Sequence, residues 1–254
     1  MTTSPVDGPA LARLLQLSSP VLPVGGFSYS QGLEAAVEHG WLRDVDGARR
    51  WIGDLLRGPI AGGEAAFVAR FLIAWSEEPP CAALLARLDQ LHQASRESQQ
   101  LLAETRQMGW SLLALANGLA EAQFGPRAAR RLPTLRALAA ASPPSYPLVW
   151  SCLAVAMAIG PHDALVGYLW SWLENQVMAA LKTIPLGQSA GQTLLFELGA
   201  LLAPIATEAL QTAAMPESDI DPARCDDDGP GNFAPGFALA SAYHETLYSR
   251  LFRS

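Results

Sequence analysis

The chain has 254 residues, half of them hydrophobic and only 16% charged, with a formal net charge of −7. Soluble domains average about 25% charged residues, so the core is large or part of the apolar surface meets other chains. The acidic balance lacks the basic stripe that phosphate backbones require, so nucleic acid is not an expected partner. Helical periodicity dominates from the start. Leu14 to Glu34, LLQLSSPVLPVGGFSYSQGLE, is nearly free of charge and interrupted by Pro20, Pro23 and the Gly25-Gly26 pair. It reads as a short helix, a Pro-fixed extended segment, a glycine bend and a new helix capped near Ser28. Asp44 then caps a helix with Val45, Ala48, Trp51, Ile52, Leu55 and Leu56 on one face, and Gly58-Pro59 is expected to end it. The next begins near Gly63, shows Val68, Phe71, Leu72 and Trp75 at helical spacing, and closes at Pro79-Pro80.

Further along, one seam runs Leu84, Leu88, Leu91, Ser95, Ser98, Leu102, Thr105, Gly109, Leu112 in steps of four and three. It fits one helix or two, with Gly109 as a possible break. A helix is expected from about Thr134 to Ala141, followed by a proline loop and a buried helix from Leu148 to Ile159. Gly160-Pro161 ends that helix and starts another reaching about Thr183. The last core helix starts near Gly187, with Pro204 expected to kink it. From Met215 to Pro235, Asp, Pro, Gly and Asn dominate, which reads as a mobile acidic linker. Phe237 to Phe252 returns to a helical pattern. The fold class is therefore all-α: a single helical-bundle domain of about ten helices over residues 1–214, a linker over 215–235 and a tail helix for partner binding over 236–254.

The apolar run Leu148 to Gly160 is shorter than the roughly 20 residues a membrane helix needs. Met1 to Pro9 lacks the basic and apolar regions of a secretory signal. Cys81, Cys152 and Cys225 are far apart, odd in number and without CxxC, which fits reduced thiols in a cytoplasmic protein with no membrane contact. Val24 to Ser28 is a glycine bend into a helix, but no GxxxxGK[ST] pattern accompanies it, so a capped turn or partner loop is preferred to a phosphate site. His39, His92, His162 and His244 show no metal-ligand spacing, and no serine sits in GxSxG. No pair of carboxylates stands out for acid–base work. The chain therefore reads as a non-enzyme with no cofactor or metal site of its own. Lys182 is the only lysine among 17 basic residues. It either favours a helix C-terminus or contacts an acidic or nucleotide-bearing partner.

The stretch LLQLSSPVLPVGGFSYSQGLEAAVEHGW resembles the N-terminal signature of the urease accessory protein UreF family. Glu104 to Gly109 (ETRQMG), Lys182 to Gln192 (KTIPLGQSAGQ) and the tail from His244 to Ser254 are similar to that family's later blocks, in the same order. Tyr243 and Leu247 stand where many members have arginine and glutamine. The resemblance implies an all-helical homodimer that binds the accessory protein UreD/UreH and the GTPase UreG. It further implies coupling of the GTP cycle to nickel delivery into apo-urease. Three patches follow from it. Lys182, Pro185, Gln188 and Gln192, with Arg106 and Gln107 nearby, would face the GTPase. His244, Glu245, Tyr248, Arg250 and Phe252 would order on UreD/UreH. Gly25, Gly26, Ser28, Tyr29 and Glu34 form the opening loop and helix, whose role is either partner contact or internal shaping of the fold. Two other readings remain: an all-helical enzyme, which needs titratable groups such as Glu34, Glu97, Glu174 and the histidines to converge in a cleft, and a helical adaptor unrelated to urease.

Overall fold

A computed structural model describes residues 8–119, 124–215 and 234–254; these are helices and connecting turns. Helix α1 (Gly8–Leu17) leads through turns and a single 3-10 turn (Gly26–Ser28) to α2 (Leu33–Glu38). Helix α3 (Val45–Leu55) runs without interruption through a π-helical segment (Leu56–Glu64) into α4 (Ala65–Ser76). Then come α5 (Ala82–Ala94), α6 (Gln99–Gly118), α7 (Ala128–Ala141), α8 (Tyr146–Ala156), α9 (Pro161–Thr183), α10 (Gln188–Gly199), α11 (Leu202–Ala213) and α12 (Pro235–His244).

The core is organised around α4 and α8. All eleven residues of α8 are buried, and it packs on α4 and α6 with α7 and α9 alongside. Helix α4 also meets α5, α9 and α11, and α9 packs on both α10 and α11. Apolar contacts are anchored by polar ones at the crossings. Trp75 Nε1 donates to the Leu148 carbonyl at 3.1 Å, and Arg131, 2% exposed, donates through Nε to the Trp75 carbonyl at 2.7 Å.

Several sequence expectations are corrected by packing. Gly58-Pro59 does not end a helix. The wider π turn moves the preceding carbonyl away from the proline ring, so the chain stays helical through Pro59 and delivers Glu64 into the interior. The seam from Leu84 to Leu112 spans two helices, broken at 95–98, where Ser98 caps α6 by accepting from Leu101 N at 3.2 Å. Gly109 lies inside α6 instead, where a Cβ would stand 2.3 Å from the Pro144 carbonyl oxygen. In α5 the seam is offset, because Leu85 and Leu88 are buried while Leu84 and Leu91 are exposed. Helix α7 begins at Ala128, a turn and a half before Thr134, and holds Pro133 in its first turns. Near Pro204 the chain breaks into α10 and α11, with turn residues at Ala200 and Leu201.

No helix starts at Ser28. Helix α2 opens five residues later behind Gly32, at φ 79°. That left-handed conformation suits glycine, and an added Cβ there would lie 3.0 Å from Ala240 Cβ on α12. The tail is helical only to His244 and continues as turns to Ser254. The expected linker, 215–235, and Cys225 fall almost wholly outside the described residues.

Gly109→Ala is expected to lower unfolding free energy by about 1–3 kcal/mol, the range for overpacking a tight contact, despite alanine's better helix propensity. Urea melts read at constant m-value test this.

Candidate functional site

Two linked features occupy the junction of α2, α6, α9 and the tail. The first is a clamp on the chain end. The Glu34 carboxylate, on the first turn of α2, accepts from Leu251 N at 2.6 Å and Phe252 N at 3.1 Å, and its Oε2 lies 2.9 Å from His244 Nε2. The Nδ1 of His244, a fully buried residue, lies 2.9 Å from Gln100 Oε1 on α6. Beyond the clamp, Arg253 N donates to the Ser28 carbonyl at 2.7 Å. The Ser254 main-chain oxygen accepts from Ser30 N at 2.7 Å, Gln31 N at 3.1 Å and Ser30 Oγ at 2.6 Å. Phe252 is buried, and Lys182 Nζ sits 5.3 Å from its ring centre, within cation–π range.

The second feature is a cavity of about 200 Å³ next to this clamp. Its walls come from the opening loop (Leu22, Gly26, Gln31), the π segment (Pro59, Glu64), α6 (Leu101, Glu104, Met108), α9 (Trp172, Glu174, Lys182) and Phe237 of α12. Trp172 Nε1 donates to Gln31 Oε1 at 2.7 Å, and Gln31 Nε2 donates to Glu104 Oε1 at 2.7 Å. Ser254 Oγ donates to Glu104 Oε2 at 2.7 Å, so the tail and the cavity wall share one carboxylate.

Beneath this wall lies Glu64. Its Oε1 accepts from the Tyr168 hydroxyl, and its Oε2 pairs with Arg96 at 2.9 Å and His92 at 3.1 Å. Burial pushes the Glu64 carboxyl up. The charges on His92 and Arg96, with hydrogen bonds from His92 and Tyr168, outweigh that and hold it far below the ordinary carboxylate range. No cation touches Glu104 among the described residues, and Arg96 acts on it only at a distance. Burial, with a smaller push from the Glu64 charge, moves it up to about 7 in spite of its bonds to Gln31 and Ser254 and the weaker pull of Arg96. Burial also raises Glu97 and Glu174, which line the same cavity.

The residues expected from sequence divide accordingly. Glu34, His244 and Phe252 are internal clamps and not a free surface. Tyr29 is 5% exposed, and its carbonyl accepts from Asn175 Nδ2 at 2.8 Å. Ser28 serves through its carbonyl, Gly25 takes a φ of 78°, and a Cβ added at Gly26 would stand 3.4 Å from Met108 beside the cavity. Lys182, Pro185, Gln188 and Gln192 are exposed on one stretch from the end of α9 into α10. Arg106 and Gln107 are also exposed, on α6, where Arg106 donates to Gln93 on α5 at 2.8 Å and Gln107 to Ser111 at 3.2 Å, and neither lines the cavity. Glu245, Tyr248 and Arg250 are exposed on the arch between the two tail anchors, Tyr248 completely.

Convergence of titratable groups does occur: Glu97 and Glu174 meet Glu64 and Glu104 around one cavity, while Glu34 and His244 form a separate cluster. Sequence reasoning missed Glu64, Arg96 and Tyr168, and named His92 only as one of four scattered histidines. One signal was available, a lone glutamate inside the apolar helical run from Ile60 to Trp75.

The described residues form an all-helical fold whose buried carboxylates hold its own segments in place. Comparison with known proteins gives its family. A UreF family model matches residues 42–199. The chain is 49% identical over 256 residues to the "Urease accessory protein UreF" of Azoarcus sp. (strain BH72), covering all of both chains. It is 46% identical to that of Dechloromonas aromatica (strain RCB), over 96% of this chain and 97% of the relative. Against that of Pseudomonas fluorescens (strain SBW25) it is 45% identical, over 95% and 97%. The chain belongs to the UreF family, a family of urease accessory proteins and not of enzymes.

A carboxyl whose folded value is raised binds more protons when folded. The contribution of Glu104 is therefore fully present below its unfolded value of 4.5 and lost as pH rises through about 7. Glu104→Gln should remove part of the stability loss seen between about pH 5 and about pH 8, by a few kcal/mol at most. Glu64 works in the opposite window, its contribution being lost as pH falls below the ordinary carboxylate range. Urea melts of both proteins across this range check the difference.

Proposed function

We propose that this protein is a scaffold in nickel-centre assembly on urease. It joins UreD/UreH, recruits the GTPase UreG, and couples the GTP cycle to transfer of nickel, as cargo, into apo-urease in the cytoplasm. The observation that carries this reading is full-length similarity to urease accessory proteins, with the family-like stretches gathered at one junction. The opening loop, the end of α9 and the tail are far apart in sequence, yet they are joined by Glu34, Lys182–Phe252 and Ser254. The exposed stretch Lys182, Pro185, Gln188 and Gln192 is the face offered to the GTPase. The arch carrying Glu245, Tyr248 and Arg250 is offered to UreD/UreH. Held at both ends, that arch loses less conformational freedom on binding than a free tail would.

Lys182→Glu is expected to reduce GTPase co-purification and urease activation by at least about tenfold, since a desolvated charge contact of this kind contributes about 1.4 kcal/mol or more. Lys182 also rests on Phe252, so Gln192→Glu, which leaves the tail untouched, is the companion variant. Full recruitment with both variants, in pull-downs of the assembled proteins, sinks the assignment of this face.

Self-association is the second element of the reading. Phe196 on α10 is 86% exposed and Trp170 on α9 is 37% exposed, beside Gly199. Large apolar side chains on an exposed helix pair mark a contact surface. Together α10 and α11 would also be long and apolar enough to cross a membrane. They are broken at Ala200 and Leu201 and pack on α9 and α4 instead. Light scattering after size exclusion should give a dimer for the native protein and a monomer for Phe196→Glu, with the circular dichroism unchanged.

A further inference from the structure

The cavity has a chemistry that the scaffold reading does not use. Its cations are both engaged, Arg96 with Glu64 at 2.9 Å and Lys182 over Phe252 at 5.3 Å. Its remaining carboxylates are not matched by cations. Glu97 accepts from its own backbone, Glu104 accepts only from neutral Gln31 and Ser254, and no hydrogen bond reaches Glu174 among the described residues. All three are pushed by burial toward the protonated form; the charge of Arg96, already paired with Glu64, offsets this only in part at Glu97 and Glu104, and nothing offsets it at Glu174 among the described residues.

A second observation points to an occupant. Tyr146 lines the cavity and is 8% exposed, yet its hydroxyl meets no hydrogen-bond partner among the described residues. The residue is buried but its hydroxyl oxygen is not sealed in protein, so a ligand group in the cavity can pair with it. The walls also offer flat apolar surface in Trp172, Phe27 and Phe237. An apolar cavity of about 150 Å³ is enough to take up benzene, and this one is larger. The carboxylates are spread over α6, α9 and the loop before α6. No group of three His, Cys, Asp or Glu among the described residues is arranged to hold a metal ion. Carboxylates around the wall, aromatic faces between them and a free hydroxyl suit a planar organic cation, which can stack on an aromatic ring while its edge donates to oxygen.

We infer that this cavity is a binding site for a planar organic cation of the amidinium or guanidinium type, held by Glu97, Glu174 and the Tyr146 hydroxyl against Trp172. The same chemistry is offered by a free guanidine-bearing small molecule and by an arginine side chain of a docking polypeptide.

Calorimetric titration of the full-length protein with benzamidine, benzyl alcohol and benzoate tests it, since the three share a ring and differ in charge. Benzamidine should bind saturably, with the neutral and anionic probes at least about tenfold weaker, a difference of about 1.4 kcal/mol. Glu97→Gln combined with Glu174→Gln should weaken benzamidine by about tenfold or more, and Tyr146→Phe by a smaller factor, with unchanged circular dichroism. Competition then separates the sources. Stronger competition by agmatine than by the capped peptide Gly-Arg-Gly assigns the free small molecule, and the reverse assigns a polypeptide arginine; either supports the site. Equal binding of the three aromatic probes, no saturable binding of benzamidine, or affinity indifferent to all three substitutions overturns it.

Discussion

The structure depends on a buried carboxylate that has to be matched. Glu64 enters the interior at the end of the π segment, where an uncompensated charge would cost several kcal/mol. His92 on α5, Arg96 on the following loop and Tyr168 on α9 all reach it. Each of these partners fixes the position of a different element, so α4, α5 and α9 cannot shift independently. Replacing the network with apolar side chains would not obviously weaken the fold. What the network supplies is registration: it defines one wall of the cavity and places α9 where its far end can reach the tail.

Glu34 and Glu104 do the same for the chain end. Neither pairs directly with a lysine or arginine among the described residues. Both spend their oxygens on hydrogen bonds to the tail, Glu34 to two backbone N–H groups and His244, Glu104 to Ser254 and Gln31. Backbone N–H groups at a chain end have no helix to satisfy them, so a carboxylate is an effective receptor. The result is a tail fastened at His244 and again from Leu251 to Ser254, with an exposed arch between. Contact surface is presented on a constrained loop, while the residues that constrain it are hidden.

Much of the helical layout was legible. The Asp44 cap, the Gly160-Pro161 junction and the mostly apolar α8 follow from short-range rules, because capping oxygens and proline geometry act within one turn. The family blocks were legible as well. The failures share a cause. Gly58-Pro59 looked like a stop, Gly109 like a break and Ser28 like a cap, and each is governed by something distant in sequence. Room for the proline ring comes from a π turn. Gly109 is required by the Pro144 backbone, and Ser28 is held through its carbonyl by Arg253. Glu34 could be a surface helix charge or a partner contact on local grounds; its actual partners lie more than two hundred positions away.

By itself, then, the sequence determined a helical chain, its family and its apolar excess, since periodicity, caps and composition are properties of neighbouring residues. Only the tertiary structure decided which polar residues are structural and which are offered outward. That choice is made by burial. Glu34, Glu64, His92 and His244 are drawn into the interior because partners meet them there, whereas Lys182, Gln188, Gln192 and Tyr248 remain in reach of solvent. A carboxylate or imidazole carries no local mark of its eventual desolvation, because that depends on helices brought together from opposite ends of the chain.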